Sequence, residues 1–342
     1  MNNKAVYWCN CCLTPIIKKT DKPTDNTCPY CKRSTLEYMA SDIRPVFPEE
    51  KRLIELAEGY GQNYLDYIQV WASKKNYFID FYTGIEKNTK NFYVGDVTTS
   101  TGLIKINCNK TIEKMKAIKY VPTTYNNEED EETTNFYILN FIEANEDLYN
   151  EITNEARAYI KETFNNNPSP VIVSFSGGKD STVVASLVKD TINNDLINVI
   201  FGDTTLELPF TYEYVNRFIE DNKDIKFAYA YNEEQKFLEV CEDIGAPSRV
   251  NRWCCSMFKT APFNRVLNYN FSDKVLTFLG IRKAESVARS TYARTSSTEK
   301  KLKIAKKISA FPIIDWLDIE VWLYIFTKKL DFNYAYKLGY TK

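Results

Sequence analysis

Ser174, Ser176, Gly177, Gly178, Lys179, Asp180, Ser181 and Thr182 fall in one nine-residue run, Ser174-Phe175-Ser176-Gly177-Gly178-Lys179-Asp180-Ser181-Thr182. The apolar stretch Val171-Ile172-Val173 precedes it and Val183-Val184-Ala185 follows, so the pattern predicts a glycine-rich turn between a buried strand and a helix. Such a turn holds an anionic phosphate. Two glycines let the backbone approach a ligand and turn its N–H groups toward it. The helix adds the positive end of its dipole, and Lys179 adds a mobile charge. The run therefore reads as a pyrophosphate cradle, the plainer alternative being a surface turn with a chance Lys-Asp. Its glycines are adjacent, which matches neither the Walker loop nor the three spaced glycines of the dinucleotide fingerprint.

Other chemistry-bearing residues lie further along. Phe201-Gly202-Asp203-Thr204-Thr205-Leu206-Glu207 closes the next predicted strand and places Asp203 beside the cradle where the two strands are neighbours. Asp203 and Asp180 are candidate magnesium ligands, since a cation on phosphate oxygens takes one or two carboxylates and keeps its remaining waters. Alternatively, Asp203 or Glu207 caps a helix from about Pro209 to Glu220. Arg282 and Arg289, spaced to share a helical face, suit a tetrahedral anion through their guanidinium forks. From Arg282 to Lys307 nine basic residues stand against Glu285 and Glu299. That excess (282–307) either attracts a nucleic-acid backbone or forms a mobile solvated loop over the nucleotide.

Nine cysteines and no histidine narrow the options further. Without imidazole there is no Ser-His-Asp or Cys-His machinery and no zinc site that needs His. Cys9-x2-Cys12 and Cys28-x2-Cys31, with fifteen residues between the pairs, have the spacing of a four-cysteine zinc ribbon. A redox dithiol and a nucleic-acid-contacting ribbon remain alternatives. Cys11 is a spare thiol, and Cys108 and Cys241 read as core residues.

The elements that must position these residues follow from the patterning of 342 residues. The expected fold class is α/β, a doubly wound parallel sheet with an N-terminal zinc ribbon and a small β-rich domain. Expected boundaries are 1–43 for the ribbon, 44–125 for the β-rich module, 126–165 for an acidic linker and docking helix, and 166–342 for the sheet domain. In the module a helix is expected around Glu49 to Glu58. Strands are expected at Tyr64 to Trp71, Tyr77 to Tyr82, Phe92 to Val94 and Leu103 to Ile106. Aromatic and lysine residues interleave at Trp71 to Phe81, as a β core or a nucleic-acid surface. Glu128 to Glu132 repel one another and mark a linker, after which Leu148, Ile152, Ala156, Tyr159, Ile160 and Phe164 recur at helical spacing. Strands are expected again at Val199 to Phe201, Lys226 to Ala230, Val275 to Ile281 and Phe311 to Ile314, alternating with helices, and ligands then bind at the strands' carboxyl ends. Net charge is −1 and hydrophobic content 44%, so bulk composition imposes neither nucleic-acid binding nor disorder. No apolar stretch reaches a membrane span and the start lacks a signal-like apolar region, so a cytoplasmic protein is expected.

Ser176-Gly177-Gly178-Lys179-Asp180-Ser181 resembles the PP-loop of the adenine nucleotide alpha hydrolase superfamily, which has a HUP-like fold. The resemblance implies that the chain splits ATP between its α and β phosphates or handles an adenylyl sulfate. Arg252-Trp253-Cys254-Cys255-Ser256-x2-Lys259-x2-Pro262 is similar to a segment of the phosphoadenosine phosphosulfate reductase-like family and of DNA phosphorothioation sulfur-transfer enzymes, where the paired cysteines help hold a four-iron cluster. Cys254 and Cys255 are thereby implied as half of an iron-sulfur site, unless they are two packed, inert thiols. The relatives' second pair follows an Asn-x-x-Tyr-x-x-Gly-Tyr segment, here Asn333 to Tyr340, after which the sequence stops at Lys342. The expectation is a chain that continues beyond Lys342, the alternative a lost cluster. Gly280-Ile281-Arg282-x2-Glu285-Ser286-x2-Arg289 and Pro312-Ile313-Ile314-Asp315-Trp316-x4-Val321-Trp322 look like two more family segments, and Thr205 stands where relatives carry glycine in Asp-Thr-Gly.

The function implied is Mg-ATP binding by Ser174, Ser176 to Thr182, Asp203, Arg282 and Arg289, with Lys179, Asp180, Asp203 and Arg282 in catalysis. A substrate would be adenylated with pyrophosphate release, in sulfur transfer and with a sulfur-donor protein as partner. Adenylyl-sulfate reduction and nucleotide-regulated nucleic-acid binding are the alternatives.

Overall fold

Val171–Phe175 is apolar on both faces and its first three residues are fully buried, as a central parallel strand requires. It lies in the middle of a six-stranded sheet in the computed structural model. That structure describes residues 4–20, 26–33, 35–45, 47, 49, 71–73, 89–96, 100–107, 136, 138–248, 250–272, 274–298 and 306–340. They form two compact units: Met1–Asn150 with Leu317–Leu330 and Ala335–Lys342, and Glu151–Trp316 with Asp331–Tyr334. Among the described residues no helix is long and apolar enough to cross a membrane.

In the first unit, β1 (Lys4–Cys9), β2 (Thr14–Lys19) and β3 (Glu37–Ala40) form an antiparallel sheet in the order β2-β1-β3. Further on, β4 (Ile43–Pro45) pairs with β5 (Trp71–Ser73), and β6 (Thr89–Asp96) with β7 (Ser100–Asn107). The last pair takes in the strands expected at Phe92 to Val94 and Leu103 to Ile106. Those expected at 64–70 and 77–82, the helix expected at 50–58, the acidic block 128–132 and Cys108 lie outside the described residues.

α1 (Glu146–Asn166) covers the predicted docking helix and buries Ile152, Ala156 and Ile160 as one stripe. In the second unit it is followed by β8 (Val171–Phe175), α2 (Lys179–Lys189), β9 (Ile197–Gly202), α3 (Pro209–Asp221), β10 (Lys226–Ala230), α4 (Phe237–Ile244), α5 (Ala261–Asn270) and β11 (Val275–Leu279). β12 (Thr295–Thr298) and β13 (Lys307–Ala310) complete the sheet, in the order β10-β9-β8-β11-β13-β12. All neighbours are parallel except β12, which runs antiparallel to β13. The parallel-dominated α/β sheet expected from the alternating pattern is thus present, with one antiparallel edge strand added. The strand expected at Phe311 to Ile314 is displaced: the ladder uses Lys307–Ala310, and the next residues turn, with Ile314 N–H on Phe311 O and Trp316 N–H on Ile313 O. Pro312 has no N–H for a ladder, so the apolar run packs as a turn instead.

α6 (Asp318–Lys328) returns to the first unit and is buried from Asp318 to Phe326. Its exposed-amide problem is solved at a distance. Asp42 accepts from the N–H groups of Asp318 (2.9 Å) and Ile319 (3.2 Å). Glu320, fully buried, accepts from Leu317 N–H, and both its oxygens accept from the Lys4 ammonium, at 2.7 and 2.9 Å. Burial raises the Glu320 carboxyl above its ordinary range although Lys4 pulls the other way. Replacing Asp42 with Ala removes the acceptor of two helix-start amides. We expect a loss of about 1–2 kcal/mol, read as a lower denaturant midpoint with an unchanged slope.

Candidate functional site

The predicted glycine turn forms between the carboxyl end of β8 and the start of α2. Gly177 has φ +67°, and a Cβ there would lie 2.9 Å from Thr211 Cγ2, so both backbone and space require glycine. Gly178 is the N-cap of α2 and supplies no side-chain cap. Ser181 Oγ donates to Gly178 O (2.8 Å) and accepts from Ser176 N–H (3.2 Å), while Thr182 Oγ1 also reaches Gly178 O (3.1 Å). The hydroxyls at 176, 181 and 182 therefore brace the turn from inside. Ser174 is the fourth residue of β8 and pairs with Leu279 and Ile200 on either side.

Lys179 is not the mobile charge expected. It is 3% exposed, its ammonium 3.1 Å from Asp180 Oδ2. Asp180 Oδ1 takes Arg282 Nε, an arginine 1% exposed and 102 residues away. The carboxylate thus draws both cations inward and keeps them together. Gly280 makes this approach feasible: a Cβ there would sit 2.6–2.8 Å from the backbone of Asp180 and Ser181.

Arg289 does not join them. Arg282 and Arg289 were expected on one helical face, but the segment is a 3-10 turn over Lys283–Glu285 and then a separate helical turn over Val287–Ser290. Ser286 is extended (φ −163°) and its hydroxyl accepts from Arg289 N–H, which starts the new turn. Arg289 pairs instead with Glu285, whose carboxylate also accepts from Arg282 N–H. Of the basic loop, 299–305 lies outside the described residues.

Asp203 follows β9, and β9 neighbours β8. It does not cap α3, whose N-cap is Leu208 with no side-chain bond. Its Oδ1 accepts from Thr205 N–H (2.7 Å) and from the Tyr212 hydroxyl (2.8 Å). Glu207 accepts from Thr204 Oγ1. Thr205, where relatives of the motif carry glycine, has φ +60°, a strained value for a β-branched residue. Its Oγ1 accepts from Phe237 N–H at 2.8 Å, which offsets part of that strain.

Sequence reading missed four residues on or near this site. Thr211 and Asn333 bond to each other at 2.9 Å, and Asn333 Nδ2 reaches Gly177 O at 3.5 Å. Tyr214 shares a 2.7 Å bond with Thr182 and donates to Asp331 O. Tyr212 binds Asp203. Three of the four stand in Thr211-Tyr212-Glu213-Tyr214, and a polar aromatic first turn directly after a site loop was the available signal.

The ribbon cysteines also converge. Cys9, Cys12, Cys28 and Cys31 have all sulfurs within 4.8 Å of one another, with Cys9–Cys31 at 3.8 Å and Cys12–Cys28 at 3.7 Å. Burial raises the Cys12 thiol strongly. For Cys31 burial works the same way, but the Arg33 N–H and the neighbouring thiols outweigh it and lower the group to about 6. Cys11 is exposed. Cys254 packs with Met257 and Cys241 against Val240, Trp253 and Phe258, while Cys255 lies 3.5 Å from Arg252 Nη2. Among the described residues neither belongs to a set of three grouped metal-ligand side chains.

A model of the phosphoadenosine phosphosulfate reductase domain matches residues 170–342, half of the chain. The chain belongs to that family. The resemblance read from its motifs is thereby borne out. Two uncharacterised proteins of Methanocaldococcus jannaschii are similar: one is 35% identical over 201 residues, 59% of this chain and 40% of that protein, the other 30% identical over 210 residues, 60% and 48%. The match takes in less than half the length of either. The adenosine 5'-phosphosulfate reductase of Staphylococcus epidermidis is 29% identical over 197 residues, 56% of this chain and 75% of that protein. The solved phosphoadenylyl-sulfate reductase of Candida auris, a phosphate complex, aligns over 57% of this chain and 92% of that one, at 16% identity and a TM-score of 0.42.

Gly280→Ala isolates the close approach on which the cradle depends. The added methyl meets backbone, so α2 must shift, at a cost of about 1–3 kcal/mol. Chemical denaturation should show that loss, and adenine nucleotide affinity should fall with it.

Proposed function

We propose that this family member binds Mg-ATP at the Gly177–Gly178 turn and transfers the adenylyl group to a substrate, releasing pyrophosphate. The observation that supports it most is the pairing of an uncapped helix start at Gly178 with two buried cations, Lys179 and Arg282, both held by Asp180. Such a site is complementary to concentrated negative charge. An acceptor oxygen attacks the α-phosphorus, the bond from that phosphorus to the α–β bridging oxygen breaks, and pyrophosphate leaves with the electron pair. Lys179, Arg282 and the turn amides then meet charge as it builds on the leaving group. A sulfur nucleophile that displaces AMP from the adenylated substrate completes a sulfur transfer. No histidine is needed for these steps.

Asp180 already accepts from two cations, which leaves Asp203 the better placed carboxylate for magnesium. Magnesium would neutralise phosphate charge there. Arg289, committed to Glu285, is an outer contact for the nucleotide at most.

The four ribbon cysteines fit zinc. Four thiolates at a Zn–S distance of about 2.3 Å stand about 3.8 Å apart in a tetrahedron, matching the 3.7 and 3.8 Å separations. Leu13 (φ 52°) and Lys32 (φ 57°), each directly after the second cysteine of a pair, adopt the left-handed turn that closes a knuckle. The role is structural. Cys28→Ser should lower zinc content from about one ion per chain to near none by metal analysis, and lower the unfolding temperature.

Adenylyl-sulfate reduction is the second reading, favoured by the family and by the reductase relative of Staphylococcus epidermidis. Sulfite release from adenylyl sulfate with thioredoxin would establish it over adenylation, whereas pyrophosphate release from ATP would establish the first reading. In the assay that responds, Lys179→Ala should lower turnover about 10²–10³-fold, and, because it strips a buried ion pair, lower the unfolding temperature as well.

A further inference from the structure

Asp203 is held in an unequal way. Oδ1 takes two donors, Thr205 N–H at 2.7 Å and Tyr212 Oη at 2.8 Å, while no hydrogen bond to Oδ2 is found among the described residues. The first donor requires the chain to turn at Thr205 with φ +60°, a conformation that disfavours a β-branched residue. A backbone held in that state beside a candidate site has functional meaning only when something uses the resulting geometry. The second donor comes from the first turn of α3, and its ring is fixed edge-on against Phe201, with centroids 6.5 Å apart. Facing a carboxylate, which can only accept, the Tyr212 hydroxyl is the donor of this bond.

Two donors on one oxygen stop the carboxylate from rotating and from chelating through both oxygens. One oxygen is saturated and the other is offered. A hard cation that rides on nucleotide phosphates and keeps its waters takes a single carboxylate oxygen in this manner. Tyr229, half-exposed and packed edge-on to Phe201, lies close enough for the Asp203 charge to raise its hydroxyl, after burial. Phe201 thus packs with both Tyr212 and Tyr229, and this packing holds the Tyr212 ring that bonds Asp203.

We infer that Tyr212 is a positioning residue that locks Asp203 through Oδ1, so that Oδ2 alone is presented to the divalent cation accompanying the nucleotide. The inference rests on the nucleotide reading above and adds the device that orients its metal ligand.

Tyr212→Phe removes the hydroxyl and keeps the ring, so packing against Phe201 survives. Binding of a fluorescent ATP analogue to the full chain is titrated with Mg2+, and separately measured in EDTA. For Tyr212→Phe the Mg2+ concentration at half-effect should rise about tenfold or more, the worth of a hydrogen bond to a charged acceptor. Affinity in EDTA and the unfolding temperature should stay at wild-type values. In an Asp203→Asn background the same substitution should add no further shift, because its effect passes through that carboxylate. Superimposable Mg2+ curves for wild type and Tyr212→Phe overturn the inference, as does an equal loss of affinity with and without metal. A wild-type chain that binds no adenine nucleotide under either condition refutes the nucleotide reading and this inference with it, an outcome distinct from normal binding with an unaltered metal requirement.

Discussion

The Asp180 carboxylate organises the second unit's candidate site, because it pairs with two buried cations at once. Lys179 is its chain neighbour and Arg282 comes from the far side of β11, yet both side chains are almost wholly withdrawn from water. Desolvating two like charges is unfavourable unless an opposite charge sits between them. With Asp180 there, the trio carries one net positive charge at the start of α2, where the helix dipole has the same sign. The fold brings the partners within reach only because Gly280 has no side chain: β11 ends against the backbone of Asp180 and Ser181 at a distance no Cβ would tolerate. One glycine and one carboxylate thus gather two cations where two neighbouring strands end.

α3 performs the complementary task on the other side of the turn. Its first turn supplies Thr211 against Gly177, Tyr212 to Asp203 and, two residues further, Tyr214 to Thr182. Asn333 ties Thr211 and Gly177 together, and Arg217 on the same helix bonds Asp331 at 2.7 Å. Each of these side chains reaches a backbone atom or hydroxyl of the turn, or the chain segment beside it, rather than the space a ligand would occupy. The turn is therefore braced from several sides, the condition under which fixed donors would stabilise developing charge in the proposed reaction.

What could be read in advance was what depends on neighbours in sequence. The strand, glycine pair and helix from Val171 to Lys189 form one continuous pattern, and Lys226 to Ala230 is a strand of the same bounds, since period and turn residues define both. What required the folded chain was pairing across long separations. Nothing near Arg282 in sequence announces Asp180, and a seven-residue spacing to Arg289 suggested a shared face that Ser286 interrupts by starting a second turn. The Phe311 to Ile314 run is as apolar as a strand, and only the ladder between β11 and β13 shows that Lys307–Ala310, with a lysine at its head, takes the place instead. Tyr212 looked like one more helix residue because its role depends on where the loop before it returns.

In the first unit the same economy operates with less apolar material. The small sheet's core includes Cys9, Cys12 and Cys28 themselves, with Ile16 and Leu36, so the thiols are packing groups as well as candidate ligands. β1 begins with Lys4, paired with buried Glu320, and ends with Cys9 at the first knuckle. A strand of six residues anchored at both ends has little freedom to slip in register, and its pairing with β2 from Lys4↔Lys19 to Cys9↔Thr14 is unbroken. The two non-glycine residues after the cysteine pairs, Leu13 and Lys32, oppose the knuckle conformation locally. A metal held by all four sulfurs would overcome that opposition, and the proposed zinc then acts as a folding determinant for the strand that carries Lys4 to α6.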